Sequence, residues 1–199
     1  FRFYSRFGYA TAFYRTEQLC TAPSARTEEE WKLVPADSIP EPELYAFFSR
    51  EMRKRNYTIQ HDEEQLRIIL HDLMLDGGAP AILSNRTGSL CALGFVRYPA
   101  PGTLYLADLI ASSKEAEKAL LRQLSARFHA ARIKRLQAAE TGEGTPFGML
   151  RVIDAPTLLS CYAEQHPKAD LTLHLTDPQL SRNDGYYRIR EGICRRHPG

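Results

Sequence analysis

The stretch LYLADLIASSKEAEKALLRQL, residues 104–124, changes its hydrophobic period in the middle. Leu104 to Ile110 is an almost continuous apolar run carrying one charge, Asp108, which is too apolar for a strand open to water on both faces. Ser112 followed three residues later by Glu115 has the spacing of a capping box, in which a hydroxyl and a carboxylate satisfy the first free amides of a helix. Leu120, Leu124 and Phe128 then recur every fourth residue and give that helix one buried stripe. A covered strand feeding directly into an amphipathic helix is the building block of a layered α/β domain.

On the C-terminal side, Ile133 to Ala139 has strand composition. On the N-terminal side, Ala79 to Leu83 and Leu90 to Tyr98 flank Asn85-Arg86-Thr87-Gly88 and read as a β-hairpin. Before it, Asp62 and Gln65 form a second capping-box pair. They open a helix whose Leu66, Ile69, Leu70, Leu73 and Met74 keep the helical period until Gly77-Gly78. A helix over about 43–56 buries Leu44, Phe47, Phe48 and Met52, and Trp31 to Val34 is a short apolar strand. From residue 31 to residue 140 the expectation is therefore a mixed α/β (α+β) domain, a layered sheet with helices.

The flanks differ. Tyr9 to Leu19 suits a strand, and Pro23, Ser24 and the triplet Glu28 to Glu30 read as a solvated linker over 23–30. Thr141-Gly142-Glu143-Gly144-Thr145-Pro146 breaks the pattern and marks a boundary, with a further domain over 141–199. There, Arg151 to Ile153 is expected as a short strand, with Asp154 capping a helix through Gln165. Leu171 to Thr176 alternates strictly and is expected to cover a core, and Asn183-Asp184-Gly185 turns into Tyr186 to Arg190.

Bulk properties exclude several classes. Of 199 residues, 43% are hydrophobic and 25% charged, an ordinary globular composition, and the net charge of +2 argues for neither nucleic acid nor a membrane as partner. Cys20, Cys91, Cys161 and Cys194 have no metal-ligand spacing and read as reduced thiols of a cytoplasmic protein. No stretch is long and apolar enough to span a membrane, and no secretory leader is visible. The chain lacks an initiator Met, and we expect it to be a fragment or the ordered part of a longer protein.

The segment Phe3-Tyr4-Ser5-Arg6-Phe7-Gly8-Tyr9 resembles the signature that closes the catalytic half of GNAT-superfamily N-acetyltransferases, where a helix releases the chain into the last strands. Taken in order with LYLADLIASSKEAEKALLRQL and with GMLRVIDAPTLL and LTLHLTDPQLSRNDGYYRI, it is similar to the enhanced intracellular survival (Eis) type of that superfamily. The resemblance implies three parts: the last strands of a first GNAT domain over 1–22, a degenerate second GNAT-like domain, and the start of a sterol-carrier-protein-like (SCP2-like) domain. It implies acetyl-CoA as co-substrate, a primary amine on a small molecule or lysine as acceptor, and a homo-oligomer, hexameric in that family. The alternative is a non-catalytic binding or assembly module that carries an apolar ligand.

Acetyl transfer requires a proton for the departing thiolate, and a phenol with a solution pKa of about 10 still holds one at neutral pH. The resemblance assigns that role to Tyr4, whose bland alternative is one more packing aromatic beside Phe3 and Phe7. Two features depart from the superfamily pattern. No (R/Q)xxGx(G/A) loop opens a helix to cradle the CoA phosphates. The family's C-terminal carboxylate, its general base, has no counterpart in Gly199 of CRRHPG, so the base is unassigned.

Asp108 is the most unusual polar placement; it reads as an amine-binding carboxylate or as a strand-end hydrogen-bonding group. Arg50, Arg53, Lys54 and Arg55 cluster at a helix end, as a phosphate contact or as a solvated terminus favoured by the helix dipole. Arg151 and Asp154 read as an ion pair, or as strand end and helix cap. The six histidines show no metal spacing, so no metal is expected.

Overall fold

The computed structural model describes residues 2–21, 31–56, 58–100, 102–130, 132–139 and 143–197. The expected linker, the Thr141-Gly142 part of the expected boundary and Gly199 lie outside these residues. The chain divides into two compact units, residues 15–144 and residues 1–14 with 145–199.

The larger unit is built on strands β2 (Trp31–Val34), β3 (Ala79–Asn85), β4 (Leu90–Ala100), β5 (Thr103–Ala111) and β6 (Arg132–Ala139), in that order across the sheet, and holds strand β1 (Ala10–Cys20) from residue 15 onward. Strands β2 to β5 are antiparallel neighbours, whereas β5 and β6 run parallel. A parallel pair needs a crossover, which helix α4 (Lys114–Phe128) supplies. Helices α2 (Glu41–Met52) and α3 (Glu63–Leu75) complete the unit.

The core explains why LYLADLI is apolar. One buried cluster gathers Leu83, Ala92, Val96, Leu104, Leu106 and Leu109 against Leu120 and Leu124 of α4. Another gathers Ile82, Leu93, Phe95 and Ile110 against Leu44, Phe47, Phe48 and Met52 of α2 and Leu66 and Leu73 of α3. Helices therefore cover both faces of the central strands, which leaves no face for polar residues. Met74, expected in the α3 stripe, is 53% exposed.

The ends of the elements correct several expectations. Asp62 caps α3, its carboxylate accepting from the Gln65 amide at 2.8 Å while the Gln65 side chain accepts from the Asp62 amide. The cap of α4, however, is Ser113 and not Ser112: the Ser113 hydroxyl accepts from the Ala116 amide at 3.1 Å, and the Ser112 hydroxyl donates to the Cys91 carbonyl. Helix α2 begins two residues early, with Pro42 tolerated in the first turn, and stops at Met52. Lys54 and Arg55 then bond three residues back, in turns.

The smaller unit holds a single helical turn, α1 (Arg2–Ser5), residues 10–14 of β1, and β7 (Thr145–Leu150). It also holds α5 (Ala155–Gln165) and an antiparallel sheet of β8 (Leu171–Leu175), β9 (Gly185–Arg190) and β10 (Ile193–His197), with β9 central. Residues 151–153 are irregular, not the expected strand, because the strand here is β7 and ends at Leu150. Asp154 caps α5 as expected, accepting from the Thr157 amide. Helix α5 covers β9 and β10, burying Tyr187 and Ile189. Edge strand β8 gains little cover: Leu173 is 36% exposed, so this alternating strand does not roof a core as its pattern suggests.

Candidate functional site

Tyr4 lies in α1, and the chain turns immediately after it. The Phe7 and Tyr9 amides both donate to the Tyr4 carbonyl, at 2.9 and 3.3 Å, and the Gly8 amide donates to the Ser5 carbonyl. Gly8 closes the turn with φ at +75°, a conformation that costs glycine nothing and other residues strain. The turn leaves the Tyr4 side chain 54% exposed, edge-on to Phe3 and to Tyr9 with ring centroids 5.4 and 5.9 Å away. Tyr4, Tyr9, Phe147 and Met149 line a recess of about 230 Å³. Tyr9, which the sequence suggests is merely a strand residue, is a wall of this recess. Phe147 and Met149 come from β7, and nothing local in the sequence signals them.

The turn is backed by a polar network. The Arg151 guanidinium donates to Asp177 at 2.8 Å and also to the Gln179 side chain, and its Nε and Cζ lie over Gly8, where a Cβ would stand 3.4 Å from Nε. Gln179 in turn donates to the Arg6 carbonyl at 3.1 Å. Asp177 accepts in addition from the amides of Gln179 and Leu180 and from Asn183, which is buried. Partial burial pushes the Asp177 carboxyl up, but the Gln179 amide, the Asn183 side chain, Arg151 and the Leu180 amide outweigh it and hold it at about 2. The expected alternative of an Arg151–Asp154 ion pair is not formed; Arg151 pairs with Asp177 and Asp154 is the helix cap.

Asp108 sits in the larger unit at a β-bulge. Phe95 pairs with Asp108 and Val96 with Leu106, so Ala107 is the extra residue. The bulge breaks strict alternation and turns the Asp108 carboxylate toward Arg55, which grips both oxygens at 3.1 and 3.0 Å and also donates to the Leu109 carbonyl. The Leu109 amide donates to the same carboxylate at 2.7 Å. Asp108 nevertheless borders a cleft of about 310 Å³, shared with His61, Asp72 and Arg97 over the apolar floor of Phe48, Met52, Leu73 and Phe95.

The basic cluster resolves into two partnerships. Arg50 and Lys54 converge on the buried Glu51 at 2.9 and 2.6 Å, and Arg55 takes Asp108. Burial pushes the Glu51 carboxyl up, but Lys54 and Arg50 together hold it below its usual range. Among the described residues, no cluster of three His, Cys, Asp or Glu side chains could hold a metal, and no helix is long and apolar enough to cross a membrane. The four cysteines are free thiols.

The residues at the start of α4 do not suit a pyrophosphate. Its first turn carries Glu115 and Glu117, the preceding Ala111-Ser112-Ser113 contains no glycine, and the Ser113 hydroxyl occupies the Ala116 amide.

No protein-family model and no curated protein matches this sequence significantly. Solved structures do match in shape. A probable N-acyltransferase from Enterococcus faecalis superposes with a TM-score of 0.73 at 16% identity, covering 100% of this chain and 55% of that one. A GCN5-related N-acetyltransferase from Anabaena variabilis gives 0.64 at 14% identity, with 100% and 56% covered. Eis1 from Mycobacterium abscessus gives 0.58 at 16% identity, with 98% and 56% covered. The chain thus shares the mixed α/β fold of these solved structures and spans about half of their length.

Proposed function

We propose that this chain belongs to an acetyl-CoA-dependent N-acetyltransferase acting on a primary amine, with Tyr4 as the general acid. The observation that carries this reading is the placement of Tyr4: a phenol at the end of a helical turn, exposed, on the wall of a recess. Phe3, Tyr4 and Phe7 are 65%, 54% and 44% exposed, so all three side chains are open to protein or ligand outside this chain. Exposed apolar surface of this kind marks a place where something else binds. The shared fold, the signature around Tyr4 and the unsuitable α4 terminus agree with acetyl-CoA being held mainly by protein outside this chain.

In the proposed reaction the neutral amine attacks the thioester carbonyl, the C–N bond forms and the C–S bond breaks, and the leaving thiolate takes the phenolic proton of Tyr4. The proton released by the new amide nitrogen restores the phenol through solvent. Supplying a proton in the transition state is worth about 10²- to 10⁴-fold in rate.

Asp108 is the proposed acceptor-binding carboxylate, offering the amine N–H a hydrogen-bond acceptor on the surface that Arg55 leaves free, with Asp72 on the same cleft. The acceptor is a small-molecule or lysine-type amine. The second GNAT-like domain, the SCP2-like domain, a cytoplasmic location and a hexameric homo-oligomer belong to the same reading. The test is acetyl-CoA turnover by the complete protein that carries this chain, followed as free thiol, with polyamines, aminoglycosides and a lysine peptide offered in turn. Amine-dependent thiol release supports the reading; none with any amine overturns it.

A further inference from the structure

Residues far apart in sequence converge on the turn that presents Tyr4. The loop after β8 is organised by one carboxylate: Asp177 accepts from the Gln179 and Leu180 amides, from Asn183 and from Arg151, and its own amide donates to Asp184. Asn183 in turn accepts from the Ala155 amide at the start of α5, and its carbonyl accepts from the hydroxyl of the fully buried Tyr187. This loop is therefore anchored in the core of the unit. Arg151, whose side chain is only 11% exposed, spans from Asp177 to Gln179 and lies against Gly8, where an added Cβ would stand 3.4 Å from its Nε. Gln179 completes the path with its hydrogen bond to the Arg6 carbonyl.

We infer that Gln179 and Arg151 are positioning residues for Tyr4: the anchored 177–183 loop holds the Arg6-Phe7-Gly8 turn, and the turn sets where the phenol stands. The Gln179–Arg6 hydrogen bond and the Arg151 guanidinium lying against Gly8 are the supports that this loop gives the turn. A shift of about 1 Å in a reacting group can cost about 10²-fold in rate, so such support acts on catalysis rather than on stability. This inference rests on the proposed role of Tyr4 for its catalytic consequence, but not for the structural coupling.

Gln179→Ala separates the two, because it removes the contact to Arg6 while leaving the Arg151–Asp177 pair and the buried Asn183 in place. Amide hydrogen exchange at Phe7, Gly8 and Tyr9 is read together with the melting temperature and steady-state kinetics of the complete protein. The expected result is exchange at these three amides faster by about tenfold or more and a melting temperature within about 2 °C of the parent. With these comes a several-fold loss in kcat at unchanged KM for acetyl-CoA. Arg151→Lys, which keeps the charge but cannot reach two partners with a planar fork, should produce the same exchange change. Unchanged exchange in Gln179→Ala overturns the inference. If exchange rises in Gln179→Ala while Tyr4→Phe keeps the full rate, the coupling stands and the catalytic reading of Tyr4 fails.

Discussion

Asp177 shows how one side chain fixes a loop. Its four donors stabilise the carboxylate over the carboxylic acid, which is why the group is held at about 2 against an ordinary value of 3.8. A depressed carboxyl contributes stability that is complete above its unfolded value and is lost as the pH falls through its folded value. The 177–183 loop should therefore keep its structure down to pH about 4 and give it up between about 4 and 2. An NMR titration of the Gln179 and Leu180 amides should show a midpoint near pH 2; a midpoint near 4 would show that the donors are not engaged. None of this network is legible in the sequence. Arg151 and Asp177 are 26 residues apart, and the nearer carboxylate, Asp154, is the natural partner until the helix cap claims it.

At the scale of elements, period and capping identify what the residues build but place some ends one residue off. Ser112 and Ser113 are both competent caps, and the spacing to Glu115 favours Ser112. The strand decides otherwise. The Ser112 amide and hydroxyl both donate to the Cys91 carbonyl, which keeps Ser112 in the sheet and passes the cap to Ser113. Ser113→Ala should thus cost about 1 kcal/mol of stability in urea unfolding, in line with other N-cap losses, and Ser112→Ala distinctly less. The reverse order would mean that α4 begins earlier. The bulge at Ala107 was equally invisible: it changes which face Asp108 occupies without altering the apolar composition that identifies the strand. Leu173 fails for a different reason, since alternation reports two faces of a strand but not whether α5 reaches the edge of its sheet.

At the scale of the molecule, the layered α/β architecture was readable because a strand as apolar as LYLADLI cannot be open on both faces; that helices cover both of its faces is seen only in the structure. The Tyr4 recess was only half readable. Its signature residues are contiguous, but Phe147 and Met149 arrive from a strand more than 130 residues away. The account as a whole depends on the phenol donating a proton and not merely packing, and Tyr4→Phe changes one oxygen atom at an exposed position. Measured on the complete protein with saturating acetyl-CoA and amine, the variant should lose at least tenfold in kcat with its melting temperature unchanged. A variant that retains the full rate would contradict the account.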